Sequence, residues 1–392
     1  MSGLIVGLHL LKRGWQVDVF ERVPVELSGR GAGVVTHDEL FQALAPLGIK
    51  TGTDLGVVVP GRVVFAQDGS VLGTRDLPQV LTSWGKLYEV LMARFPLANY
   101  HRGANFDRLE QTPEQVTAHF SDGKSVTGDV LIAADGIGSR VRAQVAPDCR
   151  AEYAGYIAWR GLVSESDLSS RARKEMFPYF AFSLPESEQM LGYPVAGEDN
   201  DMSVGKRRYN FVWYRPADAD SKLPWLLTDT NGDMNGVSIA PNMIRDEVIS
   251  DMREASQRLL SPQFAELVAK TKQPFIQSIN DLKSRSMAYG RVALLGDAAF
   301  VARPHCGAGV TKAGIDAVCL AENLDNEDVV AGLKAFSDTR QPQGEKVVQH
   351  ARNLGAYMQA QLSTPEEQIE AEKYRTPAAV MQETATSDFL RL

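Results

Sequence analysis

Two segments, separated by a long aromatic stretch, each read as an apolar strand that ends on a glycine–aspartate pair. Residues 129–142 are DVLIAADGIGSRVR and residues 291–314 are RVALLGDAAFVARPHCGAGVTKAG. A nearly unbroken apolar run marks a parallel strand covered on both faces. Parallel strands cannot be joined by a tight hairpin and need a crossover, usually a helix. The pair therefore commits the chain to an α/β fold with a Rossmann-like parallel sheet. Open α/β sheets place ligands at the C-terminal ends of such strands, which is where Asp135, Gly136 and Asp297 fall. Gly136 and Gly138 allow the backbone to approach a ligand closely, and Ser139 is an N-cap for the helix that follows. Arg140 and Arg142 are candidates to meet phosphate or acidic partners. Asp297 is suited to accept from polyol hydroxyls. Beyond it, the free N–H groups at Gly307, Ala308 and Gly309 would stabilise negative charge on a planar ring. For each segment alone, a plain strand–turn–helix remains an open alternative.

A third segment belongs to the same pattern. Residues 4–13 (LIVGLHLLKR) are helix-compatible, Gly14 ends them, and residues 16–21 (QVDVFE) alternate like a strand. This is the second half of a βαβ unit. Gly3 opens the helix and Glu21 ends the strand, a spacing close to the roughly 20 residues that a dinucleotide motif places between its glycines and the acidic residue on the ribose. The strand and first glycines expected before Gly3 do not precede it here. Two expectations follow: an upstream strand and loop belong with this chain, or the chain keeps the fold and holds a dinucleotide weakly, without catalysis.

The rest of the chain organises around these motifs. Residues 28–36 (SGRGAGVVT) form a Gly-rich loop, 37–48 a helix, 57–73 a hairpin turning at Asp68-Gly69, 83–95 a helix and 105–127 a meander. From Tyr153 to about Lys283 aromatic residues crowd a strand-like pattern, with one helix expected over 245–272. Helices are expected over 307–324 and 331–361, and a polar, loosely packed tail after Ser363. The expected architecture is a discontinuous dinucleotide-binding domain (1–56, 83–152, 286–330), an interleaved mixed β-sheet domain (57–82, 153–285), and C-terminal helices with a tail (331–392).

Composition narrows the function. A chain of 392 residues fits two or three domains and buries a core without staples. Net charge −8 argues against a broad nucleic-acid surface. Three Cys and six scattered His give neither a disulfide scaffold nor a metal-ligand spacing. No run of about 18 apolar residues suggests a membrane span, and no signal peptide is evident, so a cytoplasmic protein is expected.

In this order and spacing the motifs resemble the class A flavin-dependent aromatic monooxygenases, with the p-hydroxybenzoate hydroxylase-like fold, over nearly the whole chain. Within that family, SGRGAGVV (28–35), TSWGKLYEVL (82–91), YAGYIAWRGL (153–162), FVWYRP (211–216) and LLGDAAFVARPH (294–305) resemble the 2,6-dihydroxypyridine 3-monooxygenase branch. A flavin halogenase would carry a W-x-W-x-I-P segment, which is absent. The resemblance implies FAD as cofactor, NADH or NADPH and O2 as co-substrates, and hydroxylation of an electron-rich aromatic or pyridine ring through a flavin C4a-hydroperoxide. It implies that Gly3, Glu21, Arg22, Arg30, Gly31, Lys86, Asp135, Gly136, Asp297, Gly307, Ala308 and Gly309 contact the cofactor, and that Pro304 and His305 face the flavin ring. A homodimer is compatible with it.

For the substrate, Tyr156, Arg160, Tyr193 and Trp213 are the pocket candidates, with Tyr214 beside them. Aromatic walls and an arginine suit a flat, partly anionic ring, although sheet-core packing is the competing role for each aromatic. An unperturbed imidazole would suit His305 to proton transfer with a phenolic substrate; a loop His bonded to backbone is the alternative. Cys306 reads as a packing residue, and Arg340 and Arg352 as surface salt-bridge partners.

Overall fold

The computed structural model describes residues 1–27, 33–324 and 328–391. Its parallel pairing lies where the apolar runs are. Val292–Leu294 pairs in parallel with Leu131–Ala133, and Ala288–Tyr289 adds antiparallel to its other side. A second parallel pair joins Val19–Glu21 to Tyr100–Arg102. Helix Ser2–Lys12 lies against both pieces: a Cβ on Gly3 would stand 3.5 Å from the Ala134 side chain, and one on Gly7 3.6 Å from Val19. Leu4, Ile5, Val6 and Leu8 of this helix join Leu294, Leu295, Leu320 and Phe336 in one apolar core. Helix Gly309–Asn323 packs on both Ser2–Lys12 and Asp38–Leu44. Val292, Ala293 and Leu294 are fully buried as expected, but Leu131 and Ile132 are only half-buried. The reason is local: among the described residues, Leu131–Ala133 has a strand neighbour on one edge only.

The larger sheet runs, in spatial order, Ser238–Ile239, Phe275–Lys283, Glu152–Ser164, Arg208–Pro216, Gln189–Val195, Tyr179–Ser183, Val57–Phe65, Val71–Ser83 and Gly33–Val35. All neighbours are antiparallel except Tyr179–Ser183 with Val57–Phe65. Side chains alternate across a strand, so the sheet has two distinct faces. One carries Ile157, Trp159, Tyr209, Phe211 and Trp213 and is covered by helices Asp246–Leu259 and Pro262–Lys270. The other carries Tyr156, Ala158, Phe180, Tyr193, Val212 and Tyr214 and turns toward the 304–307 loop.

Two helical expectations change. The single helix expected over 245–272 is two helices, broken at Leu260 and Ser261, where Pro262 takes the first helical position it favours. The loosely packed tail is instead two helices, Pro365–Tyr374 and Pro377–Glu383, each capped by a threonine before a proline. Val380, Met381 and Ala385 are buried against the sheet. Arg62 holds this segment, donating to the carbonyl oxygens of Met381 (2.8 Å) and Ala385 (3.2 Å) and to Gln79 Oε1 (2.6 Å). No helix among the described residues is long and apolar enough to cross a membrane.

The two parts are locked by a buried ion pair. Arg303, just before the 304–306 turn, donates to Asp281 in the large sheet from Nε (3.0 Å) and Nη2 (2.8 Å), while Nη1 donates to Gln359 Oε1 (2.8 Å). Removing one member of such a pair leaves a buried charge unpaired, which costs about 3–5 kcal/mol. Asp281→Ala is therefore expected to lose stability of that order in urea unfolding. Asp122→Ala, which removes an exposed pair with Lys124, is expected to leave the unfolding midpoint nearly unchanged.

Candidate active site

The glycine–aspartate loops and the first helix converge. A Cβ on Gly296 would come within 2.3 Å of Ser2 Oγ, which places the start of helix Ser2–Lys12 against the loop that carries Asp297. The Met1 amino group lies in the field of both Glu21 and Asp297: burial lowers its pKa, and the two carboxylates raise it. Glu21 and Asp297, 276 positions apart in the chain, thus both act on the amino group of Met1. One oxygen of Glu21 accepts from the Val23 N–H at 2.8 Å. Around this point, Cβ atoms added at Gly136, Gly138 or Gly309 would meet nothing within 4 Å, so the loops border open space. Ile5 and Lys312 make the first intrahelical bonds, back to Met1 and Ala308. The N–H groups preceding them in each helix therefore have no intrahelical acceptor.

Arg142 fixes the loops to each other. Its guanidinium donates to the carbonyls of Ile137, Cys149 and Ala298, so it serves as a buried clamp between the two motifs and not as a phosphate ligand. Asp135 accepts from the Arg140 N–H at 2.9 Å and caps the helix Arg140–Val145 together with Ser139. Gly307, in the left-handed region at φ 69°, uses its N–H on the Pro304 carbonyl (2.9 Å), so of the expected trio only Ala308 and Gly309 remain outside that turn. Arg22 is exposed and Lys86 half-buried at the start of helix Trp84–Met92. Arg30 and Gly31 lie outside the described residues.

His305 and Tyr156 form a pair at the junction of loop and sheet. His305 Nε2 and Tyr156 Oη are 2.9 Å apart in a hydrogen bond, and Tyr214 packs edge-on to the imidazole at 5.5 Å. A Cβ on Gly355 would fall 2.4 Å from Tyr156 Oη and 2.5 Å from His305 Nε2, so the C-terminal end of helix Val329–Gly355 closes the pair from behind and requires glycine there. The expectation of an unperturbed imidazole is corrected: burial, then the neighbouring Arg303 and His350, hold the pKa of His305 well below its ordinary value. Burial raises the Tyr156 phenol. Both are therefore neutral at neutral pH. Burial also pushes the Cys306 thiol up to about 11, consistent with packing.

Of the expected substrate residues, the structure gathers three. Tyr156, Arg160 and Tyr193 share the face toward the loop, and Arg160 acts electrostatically on both Tyr193 and Tyr214. Trp213 does not join them. It pairs across from Trp159 on the opposite face, fully buried, with its indole N–H donating to Glu188 at 2.8 Å. Strand alternation puts Tyr214, not Trp213, beside His305. Arg340 is also corrected: it is buried and donates to Asp316 at 2.8 Å, which Lys312 also approaches. Arg352 is half-buried between Asp281 and Glu367. A residue not anticipated is Asn210, fully buried on the Tyr193 face. Its available signal was a lone amide inside the apolar run YNFVWY, where strands rarely carry Asn.

Known proteins share this fold. Residues 153–281 match a family model described as FAD binding domain-like. A 2,6-dihydroxypyridine 3-monooxygenase of Paenarthrobacter nicotinovorans is 31% identical over 363 residues, spanning 92% of this chain and 89% of the relative. The chain belongs to the FAD-dependent aromatic hydroxylases. A 3-amino-4-hydroxybenzoate 2-monooxygenase of Streptomyces cremeus is 28% identical over 90% of this chain and 84% of the relative. The solved structure of a 2,6-dihydroxypyridine-3-hydroxylase from Arthrobacter nicotinovorans superposes with a TM-score of 0.86 at 30% identity, covering 93% of each chain. The cofactor of this family of flavoenzymes is FAD, and the residues present fit it: two carboxylates that act on one amino group, glycines with open space at their Cβ positions, and two helix N-termini of the kind that receive phosphate and other negative charge.

The histidines give this hydroxylase a signed pH dependence. Burial depresses the pKa of His305 and of His350, the latter to about 4. The unfolded chain takes up protons near its ordinary histidine pKa of about 6.5, and the folded chain does not. Stability is therefore full above that pH and is lost as pH falls toward 4, by about 1.4 kcal/mol per pH unit for each such histidine. Urea unfolding at pH 7.5 and 5.5 is expected to show the loss, with a shallower slope for His350→Gln.

Proposed function

We propose that this chain hydroxylates an electron-rich aromatic or pyridine ring, with NAD(P)H and O2 as co-substrates and FAD as cofactor. The observation that carries this reading is the juxtaposition of the cofactor cleft with one polar–aromatic sheet face, joined through the 304–307 loop and the Tyr156–His305 bond. When bound, FAD supplies the activation of O2 at the expense of NAD(P)H. The chain's own residues bind, orient and exclude water.

Glu21 and Asp297 accept from cofactor hydroxyls, and Gly3, Ala308 and Gly309 bring N–H groups to its negatively charged parts. Asp135 and Gly136 border the same cleft; Arg22, Lys86, Arg30 and Gly31 are assigned to it from the family resemblance. Tyr156, Tyr193 and Tyr214 form the apolar wall against which a flat ring packs, and Arg160 places positive charge beside its oxygens. A ring held as its anion is richer in electrons and more open to an electrophile. Pro304 shapes the loop facing the ring. The neutral Tyr156–His305 pair holds a proton at Tyr156 Oη, shared with His305 Nε2, as a hydrogen-bond partner beside the ring. In this reading residues 57–82 and 153–285 form the substrate unit, and 1–56, 83–152 and 286–330 the cofactor unit.

The test is purification of the chain, FAD loading, and a screen of NAD(P)H oxidation with hydroxypyridines and hydroxybenzoates side by side. Ring-stimulated oxidation with a hydroxylated product is expected; failure to take up flavin sinks the reading. Arg160→Met is expected to lower kcat/KM for a ring carrying an ionised hydroxyl by about 10- to 100-fold, the scale of a lost charge-assisted hydrogen bond, with FAD content retained.

A further inference from the structure

We propose that Asn210 selects the substrate by its ring oxygens, presenting a donor that favours a carbonyl or ionised hydroxyl oxygen at that position. The proposal rests on the hydroxylase reading and sharpens its substrate class.

The orientation of one amide is fixed by its neighbour. Gly33 N–H donates to Asn210 Oδ1 at 3.0 Å. A backbone N–H can only donate, so the atom facing it must be the amide oxygen. This removes the usual ambiguity between the two ends of an asparagine and leaves Nδ2, which is donor-only, pointing the other way. Asn210 is fully buried, and Nδ2 has no hydrogen-bond partner among the described residues. Buried polar groups are almost always paired, and an exception calls for an explanation.

The neighbours supply one. Asn210 lies directly opposite Tyr193 on one side and Leu162 on the other, so its side chain shares their face of the sheet. Two residues along from Leu162 is Arg160 on that same face, whose Nε is likewise buried and unpartnered, while its Nη1 donates to Gln277 at 3.3 Å. Gly33 itself is constrained by this wall: a Cβ there would stand 2.4 Å from the Tyr193 ring. The strand that orients Asn210 thus depends on glycine to approach Tyr193.

Two unpartnered groups on one face are therefore both donors. Their complement is a planar ligand with acceptor oxygens, such as an oxo-pyridine or a phenolate. A ring bearing amino groups at those positions would set donor against donor. A site with buried polar groups rejects the ligand that cannot pair them.

Asn210→Asp keeps the acceptor for Gly33 N–H and turns the free end from donor to acceptor. Asn210→Ser is the second variant and removes the reach of the donor without adding charge. The measurement is isothermal titration of the full chain with 2,6-dihydroxypyridine and 2,6-diaminopyridine, with bound FAD per chain as the folding control. The wild type is expected to prefer the dihydroxy ring. In Asn210→Asp its Kd is expected to rise at least tenfold, and the preference over the diamino ring to shrink by at least tenfold; in Asn210→Ser the dihydroxy Kd is expected to rise several-fold. A Kd within twofold of wild type in a flavin-loaded variant overturns the proposal and leaves the hydroxylase reading standing. Loss of FAD from both variants assigns Asn210 to holding the Gly33 strand and overturns it too. A wild type that binds neither ring, and whose NAD(P)H oxidation no ring stimulates, overturns the functional reading and this proposal with it.

Discussion

Arg303 and Asp281 hold the two halves of the molecule in register. The arginine precedes the 304–306 turn on the nucleotide side, and the aspartate sits on the Phe275–Lys283 strand of the large sheet. Their contact is two-pronged and buried, and Gln359 takes the remaining guanidinium nitrogen. A single geometry therefore ties the loop, the sheet and the turn after helix Val329–Gly355 together. The Tyr156 ring lies under the same guanidinium at 5.5 Å, so the group that fixes the loop also fixes the phenol that meets His305. The same positive charge helps hold His305 neutral. Position and protonation state of the loop histidine thus share one cause.

The large sheet separates structural from chemical aromatics by strand alternation alone. Along Arg208–Pro216, Tyr209, Phe211 and Trp213 go to the helix-covered face, while Asn210, Val212 and Tyr214 go to the other. Trp213 has its N–H satisfied by Glu188, whose charge Arg215 balances at 3.0 Å. The opposite face keeps buried polar atoms at Arg160, Asn210 and Arg62 that have no partner among the described residues.

The parallel core was legible in the sequence because burial on both faces leaves an apolar run with no competing pattern, as at 292–294. The glycine–aspartate loops were legible because glycine and aspartate at strand ends answer to few other demands. The errors share a different origin. Trp213 and Tyr214 are adjacent, and composition cannot say which faces the loop; only register against Ala158 and Trp159 does. Arg340 sits at a position that reads as surface until helix Gly309–Asn323 brings Asp316 to it. His305 was assigned an ordinary imidazole because burial and the approach of Arg303 and His350 are tertiary facts. The C-terminal helices were readable after all, since Thr364-Pro365 and Thr376-Pro377 are start signals; a polar composition concealed them.

The C-terminal segment shows how burial of charge is made tolerable around this site. Arg62 is fully buried and faces carbonyl oxygens and an amide where a carboxylate might be expected. Burial, with Arg75 nearby, lowers its pKa to about 9, which still leaves it charged at neutral pH. The carbonyls it meets end helix Pro377–Glu383, where the helix dipole is negative, so the compensation is spread over dipoles. Glu188, bonded to Trp213 on the helix-covered face, is neutralised by Arg215; beside the face toward the 304–307 loop, Asp281 is neutralised by Arg303. What remains directed at that face is positive or donor in character: Arg160 and the Asn210 amide, with Arg62 held over the neighbouring Phe180 ring at 5.1 Å. A field of one sign lowers the pKa of a hydroxylated ring placed in it. On the proposed reading, the sheet would thereby also favour the ionised, electron-rich form of a hydroxylated ring.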